Sequence, residues 1–381
     1  MSRAGANKRK KLLFFVTEDW YFCSHRLELA VAAQEAGYDV AVVTRERQHG
    51  EMIREAGIRL IPIEMSRGGT RFRGEVRSFR EVHRIYRRER PDLVSHIAIK
   101  PILYGTAAAR LAGTQGIVNT FTGLGLLFSS DHARARAFRP VLRLLLRGLL
   151  HSRRVMAIFQ NPDDASVLQK AIMPGQSALI PGSGVDTSRF VASPEPPETP
   201  VVVLASRLLW QKGLREFVEA ARLLRREGTQ ARFAVVGKTD PENANTIPTE
   251  QMSRWQEEGA IEWWGFRDDM PAVYANSHIA CLPSYYGEGV PKALIEAASC
   301  GRAIVTTDVP GCREVVADGE NGFLVPARDS VALAAALRRL IVDPDLRSRM
   351  GQVGRQRAVS EFAIDRVISA TLDVYRQSLS K

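Results

Sequence analysis

The sequence predicts an α/β protein built from two doubly wound parallel-sheet domains. Short apolar runs alternate with amphipathic helical stretches along nearly the whole chain, the order that produces parallel sheets with helices on both faces. The chain has 381 residues, more than one ordinary core accommodates at ~150 residues per domain. Residues 191–200 read Val-Ala-Ser-Pro-Glu-Pro-Pro-Glu-Thr-Pro. Their prolines remove backbone donors and fix φ, so neither helix nor strand continues through them. The expected division is a first domain over 1–190, a linker over 191–200, a second domain over 201–361 and a closing amphipathic helix over 362–381.

Taken in order, 11–17 reads as a compact apolar strand. Leu27, Leu29, Ala30 and Ala33 have helical spacing, Gly37 ends that helix, and 39–43 is the next strand, completing a βαβ unit. A basic helix over 76–90 stops at Pro91, followed by strands at 92–97 and 116–120. A helix over 140–151 and strands at 155–159 and 177–180 complete the first half. After the linker come a strand at 201–205, a helix over 213–227 and strands at 232–236, 261–264, 279–282 and 303–306. The second half repeats the first in architecture but not in residues. Two sheets facing across a cleft are the expected result.

Composition narrows the functional classes. No segment approaches the ~18 uninterrupted apolar residues of a membrane span; the nearest, 141–150, carries two arginines. The apolar run near the start is too short for a signal peptide and is cut off by Glu18 and Asp19, which points to a cytoplasmic protein. Cys23, Cys281, Cys300 and Cys312 form no Cys-x-x-Cys pair, so buried thiols are expected rather than zinc or disulfides. The net charge is +11, and the excess of Lys and Arg lies in the first 190 residues. The anionic partner therefore belongs to the first half.

The most informative stretch is 284–296, Ser-Tyr-Tyr-Gly-Glu-Gly-Val-Pro-Lys-Ala-Leu-Ile-Glu. A strand feeds a glycine-bracketed turn, and Pro291 suits the first position of a helix. The N–H groups of Gly289 and Val290 at such an N-terminus suit a phosphate or diphosphate. On a helix, Glu288 and Glu296 would stand roughly 12 Å apart on much the same face, one near each end of a nucleotide sugar. Arg207 and Lys212 follow the first strand of the second domain, at the carboxyl end of a sheet where ligands of open α/β folds bind, and a rigid guanidinium with a mobile ammonium suits a diphosphate. No strand-end Asp-x-Asp appears; Asp343 and Asp345 read as the start of a helix. Metal-independent chemistry is expected, with no metal ligands and no cofactor. Neither domain has Gly-x-Gly-x-x-Gly after its first strand, which disfavours NAD.

The 284–296 run resembles the Glu-x7-Glu element of retaining, nucleotide-sugar-dependent glycosyltransferases of the GT-B fold, in particular family 4. The resemblance implies that Glu288 contacts the donor sugar and Glu296 the ribose. It also implies that Arg207 and Lys212 stabilise the leaving nucleoside diphosphate, with Leu294 in the same element. Gly237 with Lys238, and the 264–267 turn with Phe266 and Arg267, match in position the nucleotide-binding loops. In the family, a terminal helix crosses back onto the first domain.

Loops 17–26, 95–101 and 119–125 follow strands of the first domain and line the cleft. Their Ser-His-Arg, Lys-Pro and Thr-Gly-Leu-Gly motifs are similar to bacterial family 4 enzymes that extend polyprenyl-diphosphate-linked oligosaccharides, such as the transferase that adds N-acetylgalactosamine to a diacetylbacillosamine lipid. The likeness makes His96 a catalytic candidate and His25, Arg26, Lys100, Thr122 and Gly123 acceptor residues. The chain departs from the family where a glycine pair often follows the first strand: here stand Glu18-Asp19-Trp20-Tyr21-Phe22. Arg139, Arg143 and Arg147 recur every four residues on a leucine-rich helix, a pattern suited to an anionic membrane surface.

The resulting expectation is a retaining transferase moving a hexose or N-acetylhexosamine from a UDP-sugar to a lipid-linked saccharide, peripheral on the inner face of the membrane. A UDP-sugar epimerase of the same architecture is the rival enzyme. A basic nucleic-acid-binding protein is the rival of another class, but its stacking-aromatic array and recognition motifs are missing, so nucleic acid is not an expected partner.

Overall fold

The computed structural model describes residues 9–65, 72–124 and 133–380, without the side chains of 72, 73 and 133–138. The chain divides into two compact units. One takes in Met1–Thr122, His132–Ile180 and Ile368–Lys381, the other Gly123–Asp131 and Pro181–Val367.

Among the described residues, the first unit is built on seven parallel strands: β1 Lys11–Glu18, β2 Asp39–Arg45, β3 Arg59–Pro62, β4 Leu93–Ile97, β5 Gly116–Phe121, β6 Val155–Phe159 and β7 Ser177–Leu179, in the order β3-β2-β1-β4-β5-β6-β7. The second has six: β8 Val201–Ala205, β9 Arg232–Val236, β10 Glu262–Trp263, β11 Ile279–Leu282, β12 Ala303–Thr307 and β13 Gly322–Val325, in the order β10-β9-β8-β11-β12-β13. Leu12 to Phe15 and Val201 to Leu204 are all buried, because helices cover both faces of a parallel sheet and central strands then read as continuous apolar runs. Each sheet grows outward from its first strand and later resumes on that strand's other side. The topological switch points therefore lie between β1 and β4 and between β8 and β11.

Three local expectations change. The helix expected from Pro140 spans Ala133–Leu150, with Pro140 inside it. Leu142, Leu146 and Leu150, spaced four apart, are 3%, 0% and 0% exposed, and packing of that stripe outweighs the one backbone donor a proline lacks. Pro291 is the N-cap rather than the first helical residue: its ψ is 115°, and the helix runs Lys292–Ser299. Its carbonyl accepts from Leu294 N at 3.1 Å and Ile295 N at 3.3 Å. Glu288 therefore stands in the loop ahead of this helix, not on the face that carries Glu296.

The proline-rich stretch is fastened to the second unit, to which the chain returns at Pro181. Val185 N donates to Phe362 O at 2.9 Å, and Ile364 N donates to Val185 O at 2.9 Å. Arg355 donates to Thr187 O at 3.0 Å and Phe190 O at 2.7 Å. Arg302 donates to Ser193 O at 2.9 Å, and Arg347 Nη2 pairs with Glu195 at 2.8 Å. His278 accepts from Val201 N and reaches Pro196 O through its other ring nitrogen, both at 3.0 Å.

The last helix is Ile364–Leu379. From Ile368 onward it belongs to the first unit, where Tyr375 OH donates to Ser95 Oγ at 2.9 Å and its ring centroid lies 6.3 Å from that of Phe14. Cys281, Cys300 and Cys312 are buried free thiols; Cys23 is half-buried.

Candidate active site

The switch point of the second sheet gathers the loop after β8, with Arg207 and Lys212, and the loop after β11, with Ser284, Tyr286 and Glu288. Gly213 brings the two loops together. It sits at φ 78°, and a Cβ there would lie 2.0 Å from Pro283 O, a position that only glycine fills. One residue earlier, Lys212 Nζ forms a hydrogen-bonded ion pair with Glu288 Oε1, the side chains being 11% and 9% exposed. Ser284 Oγ stands 2.8 Å from the same Oε1 and 3.0 Å from Gln211 O. The ammonium also lies 5.6 Å from the Tyr286 ring centroid.

Burial pulls the Lys212 pKa down, but the charge of Glu288, the Tyr286 phenol and the hydrogen bond to Glu288 outweigh it and hold it above its ordinary value. Lys212 is a fixed cation. The Tyr286 hydroxyl is pushed up, first by the Glu288 charge and then by burial. Arg207, partly exposed, reaches to 3.4 Å of Asp240. The switch point thus holds two cations, each beside a carboxylate, Arg207 with Asp240 and Lys212 with Glu288, and cations so placed can stabilise charge developing on a phosphate leaving group.

Gly237 and Lys238 follow β9, and Phe266 and Arg267 follow β10. Gly237 N donates to Gly265 O at 2.8 Å, and Trp263 Nε1 donates to Gly237 O at 3.0 Å. Lys238 Nζ stands 4.6 Å from the Phe266 ring centroid, and Phe266 is 55% exposed. Arg267 turns instead to Asp269, in a two-point pair at 2.6 and 2.7 Å. Val290 and Leu294 direct their side chains into the core. Leu294 therefore offers no side-chain contact to a nucleotide, contrary to expectation, and at Gly289 and Val290 only backbone is suited to that role. Burial raises the Glu296 pKa to about 7, against the opposing charges of Lys292 and Arg189.

The first unit corrects the reading of His96. Its ring is 0% exposed; Nδ1 lies 2.7 Å from Asn119 Oδ1 and Nε2 3.0 Å from Tyr86 OH. Burial lowers its pKa to about 4, although the Asn119 contact opposes this. It is a neutral, enclosed core histidine with both nitrogens engaged, not a group positioned to exchange protons with a substrate. Arg26 is also withdrawn: it is 4% exposed, and its buried Nε and Nη2 meet no hydrogen-bond partner among the described residues.

His25 stacks on Tyr21 at 4.2 Å. Lys100 pairs with Glu75 at 3.0 Å, and Tyr104 OH donates to the same carboxylate. Thr122 is partly buried. Gly123, which groups with the second unit, has φ 111°, and a Cβ would lie 2.7 Å from Gly289 N. Gly125 falls outside the described residues. Arg143 and Arg147 are exposed and Arg139 partly so; beside them Val141, Leu144 and Leu145 are 50%, 72% and 50% exposed. Asp343 accepts from Leu346 N at 2.9 Å as the N-cap of Pro344–Glu361, as its sequence context indicates.

Sequence reasoning overlooks Ser284, Tyr286 and Asp240. The first two lie inside the 284–296 run, but the bond of Ser284 to Gln211 and the approach of Tyr286 to Lys212 depend on a distant loop. Nothing local marks Asp240.

Residues 11–159 match the glycosyl transferase 4-like family, and residues 199–343 match the glycosyl transferases group 1 family. A curated relative is the N,N'-diacetylbacillosaminyl-diphospho-undecaprenol alpha-1,3-N-acetylgalactosaminyltransferase of Campylobacter jejuni. It is 25% identical over 348 residues, covering 88% of this chain and 90% of the relative. The UDP-Gal:alpha-D-GlcNAc-diphosphoundecaprenol alpha-1,3-galactosyltransferase of Escherichia coli is 24% identical over 79% of each chain. Among solved structures, sucrose-phosphate synthase of Thermosynechococcus elongatus superposes with a TM-score of 0.78 at 21% identity, covering 98% of this chain and 100% of the other. Anabaena HepE in complex with UDP and glucose gives 0.77 at 17% identity, covering 97% and 100%.

Proposed function

Because this chain belongs to the GT-B glycosyltransferases of the group 1 and 4-like family, we propose that it moves a hexose or N-acetylhexosamine from a UDP-sugar to a polyprenyl-diphosphate-linked saccharide, with retention. The observation that carries this reading is the buried Lys212–Glu288 pair at the β8/β11 switch point, with Arg207 beside it. A UDP donor is supported by the solved structure of HepE with UDP and glucose. A lipid-linked acceptor is supported by the two curated relatives, whose substrates are diphospho-undecaprenol saccharides.

Arg207 and Lys212 hold the diphosphate as the sugar bond breaks, taking the part a metal ion would otherwise have. The leaving diphosphate accepts the proton of the acceptor hydroxyl on the same face of the sugar, so configuration is retained without a separate base. Glu288 lies at the sugar end and Glu296 at the ribose. In the first unit, the exposed Val141, Leu144 and Leu145 beside Arg143 and Arg147 suit the boundary of an anionic membrane. That surface would place the enzyme where its acceptor resides, on the cytoplasmic side.

The test is incubation with a panel of UDP-sugars and membrane lipid extract, followed by mass spectrometry of the lipid product. Transfer that requires the lipid fraction supports the reading. Interconversion of the UDP-sugar alone would establish the epimerase instead, and a salt-dependent shift of duplex DNA without affinity for UDP would establish nucleic-acid binding.

A further inference from the structure

The sheet of the first unit has its own switch point, between β1 and β4, and in open α/β sheets such a point is where ligands meet the carboxyl ends of the strands. The helix Asp19–His25 comes directly after β1. It presents three rings in a row: Trp20 and Tyr21 lie 5.8 Å apart at 78°, and Tyr21 stacks on His25 at 4.2 Å and 8°. All three are partly exposed, whereas Phe22 is fully buried against Phe14, centroid to centroid 5.7 Å.

The row is held rigidly. Asp19 is 0% exposed; its carboxylate accepts from Trp20 N at 2.7 Å, Arg47 N at 2.6 Å and His49 N at 3.0 Å. Cys23 Sγ donates to His49 O at 3.7 Å. The buried Glu18–Arg45 pair, at 2.8 Å, joins the end of β1 to the end of β2. The rings therefore ride on a short helix tied to two strands and to the turn after β2, so binding has little loop ordering to offset.

We propose that Trp20, its ring edge-on to the stacked Tyr21–His25 pair, offers the stacking platform for the saccharide of the lipid-linked acceptor and sets which sugar the enzyme extends. The proposal rests on the acceptor reading above. A pyranose shows C–H bonds on its flat faces and hydroxyls at its rim. Those weakly positive hydrogens meet the negative face of an aromatic ring favourably, and the hydroxyls stay free for hydrogen bonds. A diphosphate has no such face, and a polyprenyl tail, which packs on any apolar ring, carries no hydroxyl rim to fix its orientation, so the sugar is the part that such a face orients.

The experiment uses the full chain, with farnesyl-diphosphate-linked N-acetylglucosamine as acceptor and sugar-free farnesyl diphosphate as competitor. Trp20→Ala should raise the acceptor KM about tenfold, the scale of one lost aromatic contact. It should leave UDP affinity and inhibition by farnesyl diphosphate unchanged, and Trp20→Phe should restore most of the loss. Trp20→Leu, which keeps apolar volume without a ring, serves if the alanine variant does not fold. An unchanged acceptor KM, or equal weakening of the sugar-free competitor, overturns the platform. So does loss of liposome sedimentation with a normal KM in detergent, which would make the row a membrane contact. If the wild type transfers neither to this acceptor nor to membrane lipid extract, the acceptor reading falls and the platform with it; wild-type transfer with an unchanged KM in the variants sinks the platform alone.

Discussion

Lys212 and Glu288 stand 76 positions apart in the chain yet share one hydrogen-bonded ion pair, with 11% and 9% of their side chains exposed. Each is the other's chief compensation for leaving water. Removing the Glu288 charge leaves the Lys212 ammonium buried without its counter-ion, which costs about 3–5 kcal/mol. Glu288→Gln should therefore lower the melting temperature and also reduce turnover by roughly 100-fold or more, while UDP affinity changes far less. The double variant Glu288→Gln with Lys212→Met should recover melting temperature but not turnover. Calorimetric scans and initial rates check both; unchanged turnover in Glu288→Gln would remove Glu288 from the chemistry.

Glu296 carries a pH dependence with a definite sign. Burial raises its pKa from 4.5 to about 7, so between those values the folded chain keeps a proton that the unfolded chain has released. Stability contributed by this site falls as pH rises through that window. Glu296→Gln, neutral throughout, should stabilise the ligand-free protein by up to about 3 kcal/mol at pH 8 and much less at pH 5. Melting curves at the two pH values decide this, and a larger gain at pH 5 would contradict it. On the proposed ribose role, Glu296→Ala should weaken UDP binding in titration calorimetry, and normal UDP affinity would contradict that role.

Transfer should persist in excess EDTA, with Arg207 and Lys212 carrying the diphosphate charge. Loss of rate on chelation and recovery with magnesium or manganese would show that a metal is required.

Replacing Arg139, Arg143 and Arg147 by glutamine should cut partitioning onto phosphatidylglycerol vesicles roughly a hundredfold, at ~1 kcal/mol per basic group. Replacing Leu144 and Leu145 by glutamine should lower it further by removing the apolar part of the contact, again without disturbing the fold, since both are exposed. Sedimentation with and without the anionic lipid, beside a circular dichroism melt, checks both variants. Equal sedimentation of wild type and arginine variant would leave these residues as an ordinary solvated face.

The central strands are legible from sequence because strands covered on both faces read as unbroken apolar runs, as in β1 and β8. The edge strands β3 and β13 carry weaker marks: Arg59 and Pro62 bound one, and Gly322 opens the other. The loops that form the second unit's switch point are legible because they follow strands. Their pairing is not, since it depends on the approach of Gly213 to Pro283. His96 shows the limit of the same rule. Following or ending a strand says nothing about which way a ring turns, and its partners Tyr86, Asn119 and Thr106 come from three other elements.

The fastening of residues 185–200 bears on how the chain can be cut. A second unit excised at Val201 would keep Arg302, Arg347, Arg355 and His278 but lose the carbonyls and carboxylate that satisfy them. It would also lose Val185 and Phe190 from its interior. Several guanidinium groups would then face a stripped surface, and the fragment should be prone to aggregate. A fragment starting at Pro181 keeps the whole belt, so the proline-rich stretch that marks the boundary to the eye is part of what the second unit needs to stand alone.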